Sequence, residues 1–568
     1  MAGRRLMTGA DVAELLADSD SDLDINGQSD DESNVEEDSD HDSIVSGGAD
    51  SQDDRADATD LDDSDSGDSA AGRQPPAPQV AARGRVAMRR ARGVARGRGR
   101  GRGRAPARPN LAAQRANYVW GPADTKPQLQ AFTKRIGPTA AVDVEDAWDV
   151  FRLFLPNDII EIIVAETNRY ADQYFAQTVI SPHARAKRWR GVTVEEMEKF
   201  LGLVILTGII SKPLLRYYWS TNKILATPFF SEAMPRNRFE LNILKFLHFN
   251  DNNAKAPDNT NKLYKIRPVY DLMVAKWRDL YDPGEFISID EGTLKWRGRL
   301  SFRVYNKDKP TKYGIKGYIL CDSDIAYCWN LDLYHGQGNT LRETVIGLMD
   351  RLLNNPYSLY MDNLYNSVEL SEELLNTYQV HTCGTLRKNR GEPVEIRQVG
   401  DRGHIIPRFD TVSRSNGTVM VLAWQDKRTV RMVSTKHDKS TVEVERFKKG
   451  GHGEKEKIQK PVCITEYNAN MSGVDNLDQM LSYYPFTRKT VKWHRKVVFY
   501  LIEVALHNAF IVHKLRHDQP EKTLLDFHLA IVKKLCKVVD KNDDSDDDSG
   551  DEDPTQPPAR VPKHDPRE

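Results

Sequence analysis

The N-terminal region of the chain has almost no residues that could form a hydrophobic core. Between Asp11 and Asp68 there are 23 acidic residues and one arginine, and between Arg73 and Arg108 there are 12 arginines and no acid. Segments this polar cannot bury enough apolar surface to offset the entropy lost on folding. The sequence therefore predicts disorder over residues 1–115, acidic first and Arg/Gly-rich after, and confines the fold to the rest of the chain.

Charge divides the chain in the same way. Residues 1–108 carry a net charge of -8 and residues 540–568 carry -7, so residues 109–539 hold +13 within a total of -2. A body this basic favours a polyanionic partner, because Lys and Arg that neutralise phosphates release condensed counterions. The Arg/Gly tract at residues 96–104 is typical of nuclear import or of non-specific contact with DNA or RNA, with an inert linker as the alternative. We predict a nuclear protein with a second disordered, acidic tail at 540–568.

The cysteines and the apolar runs exclude several classes of protein. The five cysteines are dispersed with no CxxC pair, which predicts free thiols in a reducing compartment and no sequence-local zinc site. The N-terminus has no apolar signal segment, and the longest apolar run, residues 200–210, is about half of a membrane span. We therefore predict an intracellular protein without a membrane partner.

Hydrophobic periodicity changes along the body. Residues 116–282 show helical spacing, with a capping-box pattern at Thr193-Val-Glu-Glu196. Strands are predicted at 286–289, 318–320, 326–333 and 358–361, with a helix at 344–353, an order that indicates an α/β core over 283–385. Residues 386–460 resemble an insertion with strands at 419–424 and 429–434. The core is predicted to resume at 461–483 and helices to continue over 484–539.

Acidic residues lie at the edges of these core elements. Asp290 follows the strand 287–289 and Asp362 follows the strand 359–361, while Asp475 and Asp478 are one helical turn apart. Convergent carboxylates repel one another and need a cation, and Mg²⁺ takes oxygen ligands. Two such ions can polarise both the attacking and the leaving oxygen of a phosphodiester. An isolated Asp after a strand is also a common turn former or helix cap, so spacing alone leaves both interpretations open.

Several blocks of sequence resemble the piggyBac transposase family. The blocks are SIDEGTLKWRGR at 288–299, KYGIK at 312–316, YMDN at 360–363, GVDNLDQM at 473–480 and TRKTVKW at 487–493. The similarity extends upstream through RNRF at 236–239 and FLHFN at 246–250, and it covers roughly residues 145–535.

The resemblance implies a fold and a set of site residues. The fold would be an α/β RNase H-like catalytic core with a β-containing insertion, flanked by an all-α dimerisation and DNA-binding domain made from 116–282 and 484–539. Asp290, Asp362 and Asp475 would be the catalytic metal ligands, with Asp478 as a further acidic ligand. The cofactor would be Mg²⁺, two ions per active site, with Mn²⁺ as a substitute. The partners would be double-stranded DNA, with transposon ends and TTAA targets, and a second copy of the chain in a homodimer.

Basic residues beside these blocks are candidate DNA contacts. One group surrounds the first Asp and the other follows the third Asp: Arg297, Arg299, Lys312 and Lys316, then Arg488, Lys489, Lys492 and Trp493. Cations with an aromatic ring suit backbone contact combined with base stacking. A solvated basic face is the alternative for the first group, and a core position is the alternative for Trp493.

Two functions follow from the resemblance. Many family members end in a cysteine- and histidine-rich zinc module, whereas the only cysteine here beyond residue 463 is Cys536 and no zinc module is visible. The first hypothesis is a metal-dependent DNA transposase that cleaves and rejoins DNA at TTAA sites. The second is a domesticated DNA- or chromatin-binding protein without autonomous transposition.

Overall fold

A computed structural model describes most of the chain between Tyr118 and Val538. The described ranges are 118–144, 146–179, 188–256, 259–306, 311–336, 339–447, 455–516 and 523–538. The disorder predicted for residues 1–115 and for the tail from 540 lies outside these ranges.

The first part of the fold is a layer of helices. After strand β1 (Gly137–Pro138) the helices are α1 (Ala147–Phe154), α2 (Asn157–Gln177), α3 (Val194–Ile209), α4 (Pro228–Ala233) and α5 (Arg267–Leu280). Short 3₁₀ segments lie at Leu215–Trp219, Asn252–Ala254 and Tyr264–Ile266, and a π-helical segment lies at Arg238–Leu244. The all-helical prediction for this part misses β1 and strand β2 (Tyr281–Asp282), which pair antiparallel.

The predicted capping box at the start of α3 forms only its first hydrogen bond. The Thr193 side chain accepts from the Glu196 backbone N–H at 3.2 Å. The Glu196 carboxylate instead binds the buried guanidinium of Arg238, with Oε2 and Nη2 2.7 Å apart. A buried cation needs a partner, so Glu196 serves tertiary packing in addition to the helix end.

The middle of the chain forms a mixed sheet with helices, which confirms the α/β core. Its elements are β3 (Phe286–Lys295), β4 (Val304–Tyr305), β5 (Tyr313–Asp322), β6 (Cys328–Leu333), α6 (Leu341–Leu348), β7 (Ser358–Met361), α7 (Val368–Tyr378) and β8 (His381–Thr385). Strand β3 pairs antiparallel with β5 and parallel with β7, and β7 pairs parallel with β8.

Two predicted boundaries in this core are wrong. Strand β3 does not end before Asp290 but continues through it to Lys295, because pairing with β5 extends from Ile287 to Lys295. The helix predicted at 344–353 is α6, which begins earlier because Thr340 and Glu343 form a complete capping box. The first error arises from strand pairing, which a local pattern does not contain, whereas Thr340-Leu-Arg-Glu343 is a capping-box pattern that is visible in the sequence.

The segment predicted as an insertion adds strands to the same sheet. Its elements are α8 (Val394–Gln398), β9 (Thr411–Ser415), β10 (Met420–Gln425), β11 (Thr429–Ser434), β12 (Thr441–Phe447) and β13 (Lys455–Pro461). Strand β11 pairs with β8, which continues the sheet in the order β4-β5-β3-β7-β8-β11-β10-β9, with β6 paired to β5. Strands β12 and β13 form a separate two-stranded hairpin.

Helices close the described part of the chain. They are α9 (Val462–Asn470), α10 (Gly473–Tyr483), α11 (Trp493–Arg516) and α12 (Leu524–Cys536). By length and composition α11 would be able to cross a membrane, but 94% of its most apolar window is buried inside the fold. This helix lies in the hydrophobic core that joins the helical layer to the sheet.

Candidate active site

Two of the predicted carboxylates lie side by side on neighbouring strands. In the parallel pairing of β3 with β7, Ile289 is the partner of Met361, so Asp290 and Asp362 are the next residues on each strand. Adjacent strands are about 4.8 Å apart. The Asp290 carboxylate accepts from the Glu291 N–H and the Asp362 carboxylate from the Leu364 N–H, each at 2.7 Å. The register therefore brings this pair together.

The face of the sheet that carries Asp290 is covered by α10 and α11. Residues two apart on a strand point to the same face. On either side of Asp290, Ser288 lies against Gly473 of α10, and a Cβ at Gly292 would lie 3.7 Å from the Tyr500 hydroxyl of α11. Asp290 thus points into the space between the sheet and these helices.

The environment of Asp362 disfavours its charged form. Burial raises the pKa of Asp362 and the charge of Glu291 raises it further, against the opposing Leu364 N–H and the Arg387 guanidinium. Burial also raises the pKa of Tyr467 on α9, and the charges of Asp362 and Asp290 add to that shift. Tyr467 therefore lies within electrostatic range of both carboxylates.

Asp475 and Asp478 are presented by α10. Its first residue, Gly473, contacts the strand that carries Asp290, and a Cβ there would lie 2.5 Å from the Ser288 Oγ. Only glycine permits so close an approach. Asp475 lies in the first turn of α10 and is exposed, as is Asp478. Asp478 lies near Tyr500, since it is among the charges that add to the burial-driven rise in the pKa of Tyr500.

The carboxylates of the strand pair suit a divalent cation. Asp290 and Asp362 supply carboxylate oxygens, the ligands that Mg²⁺ prefers. A bound cation would also relieve the penalty on the anionic form of Asp362 that burial and Glu291 impose. The pair therefore fits a divalent metal. Within the described residues, no three or more His, Cys, Asp or Glu side chains are grouped so that they could hold a metal ion, so Asp475 is not gathered with the pair.

The two groups of candidate DNA contacts meet in the fold. Arg297, Arg299 and Lys312 are exposed at the end of the β3–β5 hairpin, and Lys489 is exposed before α11. The half-buried Trp493 packs edge-to-face on Phe302 of the hairpin loop, with ring centroids 5.3 Å apart. This contact places Trp493 of the second group on the hairpin that carries the first group.

The remaining members of these groups have structural contacts. Lys316 pairs with Glu291 at 3.1 Å. The Arg488 guanidinium donates to the Tyr218 hydroxyl and to the Lys212 carbonyl oxygen, each at 2.6 Å. Lys492 is half-buried at the start of α11. The surface formed by Arg297, Arg299, Lys312 and Lys489 is called the basic surface below.

Comparison with known proteins identifies the family. A family model described as Transposase IS4 matches residues 146–510, which is more than half of the chain. The chain is 26% identical over 453 residues to the human PiggyBac transposable element-derived protein 2, covering 76% of this chain and 72% of that protein. The chain belongs to the piggyBac transposase family.

Two further family members resemble the chain, one in sequence and one in structure. The human PiggyBac transposable element-derived protein 5 is 22% identical over 411 residues, covering 67% of this chain and 72% of that protein. A piggyBac transposase solved by cryo-EM as a synaptic complex with hairpin DNA superposes with a TM-score of 0.61 at 24% identity. The superposition covers 71% of this chain and 84% of that chain. At 24% identity the similarity shows the fold alone.

Sequence reasoning missed several residues around this candidate site. Tyr467 approaches the carboxylates only because α9 packs on the sheet, and no motif marks it. The Glu466 carboxylate accepts from the Tyr360 hydroxyl at 2.5 Å and pairs with Lys436 at 2.7 Å, which holds α9 on β7. Glu291 follows Asp290 in the sequence, but its effect on the pKa of Asp362 could not be predicted without the register of β3 with β7.

Proposed function

We propose that this piggyBac-family protein is a DDD-type DNA transposase that performs metal-dependent DNA cleavage and strand transfer at TTAA sites. Asp290, Asp362 and Asp475 are the proposed catalytic metal ligands, with Asp478 as a further ligand. The observation that carries the proposal is the register that sets Asp290 beside Asp362 on parallel strands. We propose that the sheet is an RNase H-like core and that the flanking helical segments support a homodimer in the nucleus.

In this proposal the protein holds the cation and the DNA, and the cation supplies the Lewis acidity for phosphodiester cleavage. Asp290 and Asp362 would hold the cation from the sheet, and Asp475 would be a third ligand from α10. The basic surface would bind phosphates further along the DNA backbone, because Arg297 is seven residues beyond Asp290 along the hairpin, about 23 Å in an extended strand. Phosphate contacts set the register of a protein on DNA, so this surface orients the substrate over the carboxylates.

Two observations support DNA as the substrate. Arg297 and Arg299 are exposed on the hairpin whose Phe302 packs on Trp493, and the exposed Lys489 lies four residues before Trp493. The cryo-EM relative is described as a complex with hairpin DNA. The first comes from this chain and the second from a protein of the same fold.

The test is a Mg²⁺-dependent nicking assay on candidate end DNA with single substitutions. Asp290→Asn, Asp362→Asn and Asp475→Asn are each expected to abolish nicking while the protein stays folded, because an amide removes the charge that holds the cation. The matched control is Asp172→Asn, an exposed acid on α2, which should nick like the wild type. Wild-type activity in any of the three site variants would remove that residue from the proposed site.

The second candidate function is DNA or chromatin binding without transposition. It is favoured by the exposure of Asp475 and by the lack of a three-ligand group among the described residues. The same assay decides between the two functions. A protein that binds DNA, does not nick it with Mg²⁺ or Mn²⁺, and is unchanged by all three Asp→Asn substitutions would support the second.

A further inference from the structure

The carboxylate of Glu466, on α9, binds side chains from two other parts of the fold. It accepts a hydrogen bond from the Tyr360 hydroxyl of β7 at 2.5 Å. Its Oε1 lies 2.7 Å from the Lys436 Nζ, and its Oε2 lies 2.9 Å from the His437 Nε2. Lys436 and His437 follow β11, in the segment that the sequence predicts as an insertion. These four side chains, called the Glu466 cluster below, tie α9 both to β7 and to the insertion.

The partners of Glu466 are almost completely removed from solvent. Tyr360 is 0% exposed, His437 is 7% exposed and Lys436 is 8% exposed. Burial alone would raise the pKa of Glu466, but hydrogen bonds from His437, Lys436 and Tyr360 hold it well below its ordinary value. The carboxylate is therefore anionic and supplies the countercharge that a buried ammonium needs. Hydrogen bonds to a charged group are stronger than neutral ones, so these contacts hold α9 firmly in place.

The Glu466 cluster connects the two groups of proposed metal ligands. Tyr360 lies two residues before Asp362, near the end of β7. Glu466 lies nine residues before Asp475, and only two residues separate the end of α9 from the start of α10. The hydrogen bond between Tyr360 and Glu466 therefore joins the strand that leads to Asp362 to the helices that lead to Asp475.

We propose that Glu466 is a positioning residue of the proposed cation site and that it acts through the Tyr360 hydroxyl. The proposal rests on the proposed function, since it takes Asp362 and Asp475 as ligands of one cation. The hydrogen bond sets how far α9, and with it α10, lies from β7. The lysine and the histidine of the insertion hold the carboxylate in the orientation that this bond requires. The insertion thus helps to place Asp475 against the strand pair without contacting the cation.

The test measures Mn²⁺ binding by the full chain without DNA, by titration calorimetry, so it does not depend on cleavage. Tyr360→Phe keeps the ring and removes only the hydroxyl that binds Glu466. This variant should bind Mn²⁺ about fivefold more weakly, on the scale of one net hydrogen bond. Excess Mn²⁺ should restore nicking to the wild-type rate, because every proposed ligand is still present.

Tyr327→Phe is the matched control. Tyr327 is also 0% exposed, and its hydroxyl donates to the Trp277 carbonyl oxygen of α5 at 2.7 Å. The substitution therefore removes one buried hydroxyl that lies outside the Glu466 cluster. The melting temperature of this variant should fall, while its affinity for Mn²⁺ should remain that of the wild type.

Glu466→Gln is a second variant that keeps the proposal testable if Tyr360→Phe does not fold. The amide keeps the length of the side chain, and the Lys436 Nζ keeps the Glu285 carboxylate as a partner at 3.5 Å. The affinity for Mn²⁺ should fall at least as much as in Tyr360→Phe, since the amide no longer supplies the charge that orders the cluster.

The outcomes separate this inference from the proposed function. Wild-type affinity for Mn²⁺ in Tyr360→Phe, or in Glu466→Gln where only that variant folds, overturns the inference and leaves the transposase proposal standing. Equal losses of affinity in Tyr360→Phe and Tyr327→Phe also overturn it, because the loss would then follow from a general loosening of the fold. A wild-type chain that neither binds Mn²⁺ nor nicks DNA with it overturns both proposals.

Discussion

Asp290 and Asp362 lie half-buried on neighbouring strands, whereas Asp475 and Asp478 lie exposed on a helix. The strand pair is fixed by backbone pairing of β3 with β7, and each carboxylate accepts from a nearby backbone N–H. The helix is held by side-chain packing and by one close approach at Gly473. The strand pair is thus one half of the proposed site and is fixed by backbone pairing. Asp475 and Asp478 are the other half, and their position depends on how α10 packs on β3.

The largest expected effect on the rate of nicking comes from a change at Gly473, where α10 contacts β3. Gly473→Ala introduces a Cβ that would lie 2.5 Å from the Ser288 Oγ and 3.1 Å from the Asp322 carbonyl oxygen, so α10 must move away from β3. A displacement of about 1 Å costs about 100-fold in rate, so nicking should fall by about that factor. The measurement is single-turnover nicking, with thermal melting as a check on the fold.

Gly347→Ala on α6 is the control for that change, since a Cβ there meets nothing within 4 Å. It should leave nicking unchanged. Wild-type nicking by Gly473→Ala would mean that nicking does not depend on how α10 packs on β3.

An intermediate effect, on DNA binding, is expected from substitutions in the basic surface, whose arginines lie on the β3–β5 hairpin. Arg297→Ala with Arg299→Ala should weaken DNA binding on the order of tenfold and reduce the slope of log K against log salt by about 0.9 for each phosphate that is no longer neutralised. Arg488→Ala should instead lower the melting temperature, because this guanidinium binds Tyr218 and the Lys212 carbonyl oxygen inside the fold. DNA binding across a salt series tests the double variant, and thermal melting tests Arg488→Ala. An unchanged slope in the double variant would exclude Arg297 and Arg299 from the DNA interface.

The smallest expected effect is a change in the pH dependence of nicking, which follows the charge of Asp362. The anionic carboxylate binds a cation and the pKa of Asp362 is raised, so nicking should be lost as pH falls through that raised pKa. Glu291→Gln removes a like charge, lowers the pKa of Asp362 and should move the acid limb to lower pH. Lys316→Gln removes the ion pair of Glu291 and should move the limb to higher pH.

Each of these shifts should be less than about one pH unit, because the charges are partly exposed and screened. The measurement is the pH dependence of single-turnover nicking for both variants and the wild type. Shifts of the two variants in the same direction would show that Glu291 does not act on Asp362.

Much of the architecture could be predicted from local patterns. The helices of the first part, the strand β7 and the α/β order all follow from hydrophobic periodicity. The candidate ligands could be named because their sequence blocks resemble those of a family to which the chain belongs. The roles of these residues remain predictions that the nicking assay tests.

What the sequence alone determined is which segments can form a core, which elements they form and where the acidic residues fall along them. These properties depend on neighbours a few residues apart in the chain. Only the tertiary structure decided that Asp290 lies beside Asp362, that Gly473 touches Ser288, that Arg488 is internal while Arg297 is exposed, and that Tyr467 lies within electrostatic range of the carboxylates. Strand register and helix packing join residues from about 70 to 276 positions apart, and local periodicity carries no information about such distant pairings.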